Sequence, residues 1–171
     1  MLQNITHQPI NIQTELQVSA ARLDGPQKMT VASIYIPPSH NDGQLKQELT
    51  NIIKQLPQPF ALMGDFNAKH SAWGNIICDR RGKIILDVVE ENNLIILNDD
   101  QQTRLNPQHG TTSAIDLTIT SCELAPKMQL RVDNDCRGSD HFPIHVLFSS
   151  KPPEILTRGR WKYELANWTV F

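Results

Sequence analysis

Apolar residues in this chain fall mostly into short runs, and polar loops separate the runs. Between Ile10 and Leu23 the apolar positions Ile10, Ile12, Leu16 and Val18 mix with polar ones, which predicts one strand with a frayed start. Asp24-Gly25-Pro26 reads as a turn. Met29–Ile36 then alternates, with Ala32, Ile34 and Ile36 on one face and Val31, Ser33 and Tyr35 on the other. Two strands joined by a Gly-containing turn predict an antiparallel hairpin, and Pro37-Pro38 ends it.

Helical spacing appears twice. Leu45, Leu49, Ile52, Ile53 and Leu56 give one apolar face to a helix capped by Asp42 and running to about Gln55, with Pro57 and Pro59 as stops. A second helix, from about Gly82 to Asn92, buries Ile84, Ile85, Val88 and Val89. Phe60–Met63 and Leu94–Leu97 read as short buried strands. The intervals 65–80 and 98–113 read as polar loops. Ala114–Thr120 alternates again, Lys127–Val132 is a further strand, and Phe142–Phe148 ends the series with Phe142, Ile144, Val146 and Phe148 in phase. Many strands with only two helices predict an α/β fold in which two sheets pack face to face and helices lie outside.

Composition narrows the class without choosing the chemistry. The length of 171 residues, with 39% hydrophobic and 20% charged residues, is that of one globular domain. The net charge of −2 hides an asymmetry: from Lys151 onward there are four Lys/Arg against two Asp/Glu. A mildly acidic chain neither requires nor excludes nucleic acid, because a cation site needs carboxylates while only a local patch meets phosphate. After Ser149 the periodicity stops, so 150–171 is expected to be a linker or docking tail. Cys78, Cys122 and Cys136 lack CxxC spacing and are expected to be reduced. With no signal-like start and no apolar run near ~20 residues, the expectation is an intracellular protein without a membrane span.

Four polar clusters interrupt the apolar segments. Gly64-Asp65-Phe66-Asn67 follows a buried run, although Gly, Asp and Asn also favour ordinary turns. Asp116 lies within an apolar strand, where an unpaired carboxylate is costly; this implies a bound cation, a histidine or an edge position. Ser139-Asp140-His141 precedes the last strand, where a capped turn is the default reading of such a tripeptide. Tyr35 faces away from Ile34 and Ile36, as a half-buried tyrosine would. Together they supply the groups that phosphodiester cleavage needs: a base for water, a stabiliser of phosphorane charge and help for the leaving oxygen.

In order, Ser33-Ile34-Tyr35-Ile36-Pro37-Pro38, Gly64-Asp65-Phe66-Asn67-Ala68, Ser113-Ala114-Ile115-Asp116-Leu117 and Ser139-Asp140-His141-Phe142-Pro143-Ile144 resemble the endonuclease/exonuclease/phosphatase superfamily. Asn67-Ala68-Lys69-His70-Ser71-Ala72-Trp73-Gly74, Arg80-Arg81-Gly82 and Asn93-Leu94-Ile95-Ile96-Leu97-Asn98 resemble its non-LTR (jockey/LINE-type) retrotransposon branch. The resemblance covers roughly residues 8–149 and implies a DNase I-like four-layer sandwich. It implies that Asp65 activates water with Asn67, that Asp116 orients His141 toward the phosphate, and that Tyr35 touches the phosphate or leaving oxygen. Asp140 would serve Mg²⁺ (or Mn²⁺), partly through water, and Lys69, His70 and Trp73 would lie along DNA. The family's first strand and a Gln/Glu pair, whose acid is a principal metal ligand, have no counterpart before Ile10, so residues 1–149 are expected to be an N-terminally incomplete domain with impaired activity. Residues 150–171 resemble the connector to a reverse transcriptase, and the family's role implies the nucleus. The readings left open are a DNA endonuclease, a non-catalytic nucleic-acid-binding remnant, and a phosphatase of the same fold.

Overall fold

The alternation and the two helical faces are realised with a few shifts of boundary. The structure is a computed structural model, and it describes residues 6–149 apart from Pro26. The linker expected at 150–171 and the proline of the predicted turn lie outside the described residues. The first predicted strand is two strands, β1 (Thr6–Ile10) and β2 (Gln17–Asp24), paired antiparallel. Leu16 is buried in the connection between them, so the apolar positions run on from Ile10 to Leu23 across the break. Next come β3 (Met29–Tyr35), α1 (Asp42–Gln55) and β4 (Phe60–Asp65). They are followed by α2 (Arg80–Glu91) and β5 (Leu94–Ile96). The chain continues with β6 (Arg104–Asn106), β7 (Thr111–Ser113), β8 (Asp116–Ser121), β9 (Met128–Val132) and β10 (Ile144–Phe148).

One sheet has the order β1-β2-β3-β4-β8-β5; only β3 and β4 run parallel, as their α1 crossover requires. Ala32, Leu62 and Ile119 form one row across it, and both helices cover that face. Leu45, Leu49 and Ile52 of α1 and Ile85 and Val88 of α2 are buried there. The predicted cap of α1 moves by one residue: Asn41 is the N-cap and accepts from the Gly43 N–H at 3.0 Å, which frees Asp42 to meet Arg81. Asp79 caps α2, whose helix begins two residues earlier than expected.

The opposite face carries Val31, Ser33 and Tyr35 on β3, Met63 and Asp65 on β4, and Asp116 and Thr118 on β8. The antiparallel pair β9–β10 lies over it, and Ile144 and Val146 share a cavity of about 340 Å³ with Val31, Met63 and Thr118. The expected arrangement of facing sheets with helices outside is therefore present. Strand β8 is buried from Leu117 through Ser121, since neighbours pair on both edges and layers cover both faces. Its buried hydroxyls find partners, as where Thr120 Oγ1 donates to the Phe60 carbonyl at 3.0 Å.

Both intervals read as loops hold structure. Ser71–Trp73 is a 3₁₀ turn, and β6–β7 is a short antiparallel hairpin. The apolar residues of β6–β7 are too few to give a period. Gly64 has φ of 150°, and a methyl there would come within 1.8 Å of the Ile34 carbonyl oxygen, so β3 and β4 approach each other closely just before Asp65. No helix among the described residues is long and apolar enough to cross a membrane.

Candidate active site

Strand register creates the site. Tyr35 ends β3 and is paired with Asp65, which ends β4; Asp65 is paired in turn with Asp116, which begins β8. Three polar side chains thus stand side by side at one end of the sheet, on the face away from the helices. Asp116 is the first residue of its strand rather than an internal one, which lets its carboxylate reach past the sheet end. Tyr35 is 38% exposed there.

His141 arrives from the loop before β10. The Nδ1 atom lies 2.9 Å from Asp116 Oδ2 and 3.1 Å from Oδ1. A carboxylate only accepts, so Nδ1 carries the proton in this contact. The backbone at His141 is held by an isolated bridge to Arg104 and by the Phe142 N–H donating to the Thr103 carbonyl at 2.8 Å.

Asp65 is tied by its neighbour Asn67, whose backbone N–H donates to Oδ1 at 2.9 Å and whose side-chain amide donates to Oδ2 at 2.8 Å. That amide also donates to the Ile36 carbonyl at 3.1 Å. Burial pushes the Asp65 carboxyl above its ordinary 3.8; the Asn67 N–H pulls it back, and the Asp116 charge pushes it up again. Ligand-capable atoms of Asp65, Asp116 and His141 all lie within 4.8 Å of one another.

Asp140 lies next to His141 in the same loop. Its carboxylate stands outside that trio and is engaged by Arg104, with Nε at 3.1 Å and Nη2 at 3.0 Å from Oδ2. The Arg104 guanidinium holds the Asp140 carboxyl below the ordinary range. Of the three residues expected along DNA, Lys69 is half-buried beside a cleft of about 570 Å³ that Thr111, Thr112, Ser113 and Ile77 also line. His70 caps the 3₁₀ turn by accepting from the Ala72 N–H at 3.1 Å. Trp73 does not lie on the surface. It is 0% exposed within the main core, and its indole N–H donates to the Ala68 carbonyl. Anchoring the loop from within, it has no face to offer a base.

Sequence reasoning missed the residues that hold Asp116. Thr103, fully buried, accepts from the Ile115 and Asp116 N–H groups at 3.0 Å each. Asn98 accepts from the Thr118 N–H and donates to the Asp116 carbonyl, both at 2.9 Å. Asn75 exchanges two hydrogen bonds with the backbone of Ala114. Each is a small polar residue inside a loop, a type whose default is solvent exposure. Only tertiary contacts distinguish these three.

A family model described as endonuclease-reverse transcriptase matches residues 29–145. The RNA-directed DNA polymerase from mobile element jockey of Drosophila funebris is 29% identical over 144 residues, covering 80% of this chain and 15% of that protein. The chain thus spans a small part of the length of such relatives. Among solved structures, the endonuclease domain of TRAS1, a telomere-specific non-LTR retrotransposon, superposes with a TM-score of 0.68 at 21% identity, covering 84% of this chain and 78% of that one. A 3′-5′ exonuclease (NExo) from Neisseria meningitidis gives 0.64 at 19% identity, covering 82% and 72%. Identities this low speak to the fold, which is the expected DNase I-like sandwich. Because the family model spans more than half of the residues and contains every polar cluster described above, the chain belongs to the endonuclease-reverse transcriptase family.

Proposed function

We propose that this chain nicks DNA by hydrolysing a phosphodiester bond at the Asp65–Asp116–His141 cluster, as the endonuclease unit of a retrotransposon polyprotein. The observation that carries the reading is the convergence of those three side chains, from three separate segments, within 4.8 Å. In this reading residues 150–171 connect the domain to a reverse transcriptase, and its target is chromosomal DNA in the nucleus.

The donor set fits a divalent cation. Two carboxylates face each other in a half-buried site, and hard oxygen donors of like charge are what Mg²⁺ or Mn²⁺ takes. Asp140 would serve it, partly through water while it remains with Arg104, beside the Asp65 and Asp116 carboxylates. When bound, the cation supplies Lewis-acid polarisation of a phosphoryl oxygen. The protein's own groups do the rest. Asp65 takes a proton from the attacking water, and Asn67 fixes the carboxylate's orientation. His141, held through Nδ1 by Asp116, turns Nε2 toward the scissile phosphate. The Tyr35 hydroxyl, at the adjoining strand end, meets the phosphate or the departing oxygen. Lys69, beside the cleft, contacts the DNA backbone.

A supercoiled plasmid with Mg²⁺ tests this. The wild-type chain is expected to produce open circles, and Asp65→Ala and His141→Ala to lose about 10²-fold or more of that rate. Nicking indifferent to both substitutions rejects the site. Salt-dependent DNA binding without any nicking would instead favour a binding remnant, and cleavage of a phosphomonoester but not of DNA a phosphatase.

A further inference from the structure

Arg81, in the first turn of α2, is only 6% exposed. A buried guanidinium is costly unless all its N–H groups are matched, and Arg81 has five contacts for its five N–H groups. Nε donates to Asp42 Oδ1 at 2.8 Å. Nη1 donates to the carbonyls of Pro37 at 3.1 Å and, at the longest distance, of Asn67 at 3.5 Å. Nη2 donates to the carbonyls of Pro38 at 3.3 Å and His40 at 3.2 Å. Four of the five acceptors are therefore backbone, and they belong to two loops. One leaves β3 directly after Tyr35, and the other leaves β4 directly after Asp65.

The rest of the α2 start grips the second loop. Asp79 Oδ2 accepts from the Lys69 N–H at 3.1 Å, while its own N–H donates to the Lys69 carbonyl at 2.9 Å. Gly82 packs so closely that a methyl would lie 2.1 Å from the Lys69 carbonyl oxygen. Between these grips sits Asn67 with φ of 47°, a left-handed conformation that a non-glycine residue adopts at a cost. That conformation aims both the N–H and the side-chain amide of Asn67 at Asp65.

We infer that Arg81 is a positioning residue for the nicking reaction, joining the Pro37–His40 and Asn67 carbonyls to one guanidinium so that Tyr35 and the Asp65–Asn67 pair keep a fixed relation. A salt bridge made for stability alone needs Asp42 and no planar fork; here Asp42 takes one N–H in five. Lysine can preserve the charge and the Asp42 pair but cannot span two loops from a single nitrogen. The inference rests on the functional reading above, and the test separates the two.

Arg81→Lys and Asp42→Asn are compared with the wild type for plasmid nicking, melting temperature and hydrogen exchange of the Asn67 N–H. Arg81→Lys is expected to lower kcat about tenfold or more at a KM within about twofold, since small misplacement of reacting groups is costly in rate. The Asn67 N–H should exchange about tenfold faster, while the amides of Leu49 and Ile52 in α1 keep their protection. Asp42→Asn retains an acceptor for Nε, so it should lower the melting temperature and leave kcat within about twofold. Wild-type kcat and Asn67 exchange in Arg81→Lys overturn the positioning role while leaving the endonuclease reading intact. Losses of kcat that track melting temperature equally in both variants overturn it too. A wild type that fails to nick, or whose nicking survives Asp65→Ala, removes the functional reading and this inference with it.

Discussion

Asp65 and Asp116 are directly opposed across the antiparallel pair β4–β8, two carboxylates at one sheet end. Like charges in that relation destabilise a sheet, and nothing in the packing of β4 or β8 needs them. The site is therefore a place where folding and reactivity pull in opposite directions.

The pH dependence follows from that opposition. The Asp65 carboxyl is raised above 3.8, chiefly by burial, so the folded chain binds its proton more tightly than the unfolded chain does. Its stabilising contribution is then present at low pH and is lost as pH rises from 3.8 through the higher folded value. Thermal melts of wild type and Asp65→Asn across pH 4 to 8, on the order of one point per half unit, are expected to diverge with rising pH, the variant ending as the more stable. A divalent cation should raise the melting temperature of the wild type more than that of the variant. Parallel curves would refute the account.

The Asp116–His141 pair gives a second expectation. Asp116→Asn keeps the shape but can donate as well as accept, so Nδ1 need no longer carry the proton. Nicking should fall by about 10²-fold, with plasmid binding unchanged. A variant that cuts at the wild-type rate would separate the 2.9 Å contact from catalysis.

Lys69 and Trp73, expected together at the DNA surface, should now behave oppositely. Trp73→Ala empties a fully buried site and should cost about 3–5 kcal/mol in urea unfolding. Lys69→Ala should leave stability within about 0.5 kcal/mol. In the proposed function it weakens DNA binding and lowers the slope of log affinity against log salt by about one. Equal stability losses would contradict this division.

Among the free cysteines, Cys78 is exposed, and the hydroxyl and backbone N–H of Ser71 lower its thiol below the ordinary 9.0. Iodoacetamide near neutral pH should therefore label Cys78 before Cys122, which is also exposed but whose thiol donates to the Asn93 carbonyl. Peptide mapping during a time course reads the order directly.

What could be read in advance followed from periodicity. The faces of β3, α1 and α2 were legible because their apolar residues repeat every two or every three to four positions. Asp65, Asn67, Asp116 and His141 stood out because each breaks an apolar run or abuts one, although joining them required a family likeness. Thr103, Asn98 and Asn75 gave no such signal. Their partners are backbone groups between 12 and 39 residues away in sequence, and only folding brings those groups to them. The hairpin β6–β7 and the burial of Trp73 were hidden for a related reason: a three-residue strand or one anchoring ring is too short to make a pattern.

At Gly64 two strands nearly touch. Its place beside Asp65 makes it look like a chemical requirement, yet the obstacle is the carbonyl oxygen of Ile34, an atom every residue carries. Randomising codon 64 in an Asp65→Ala background should therefore still return glycine among folded clones, so a glycine retained at this position reports folding rather than chemistry.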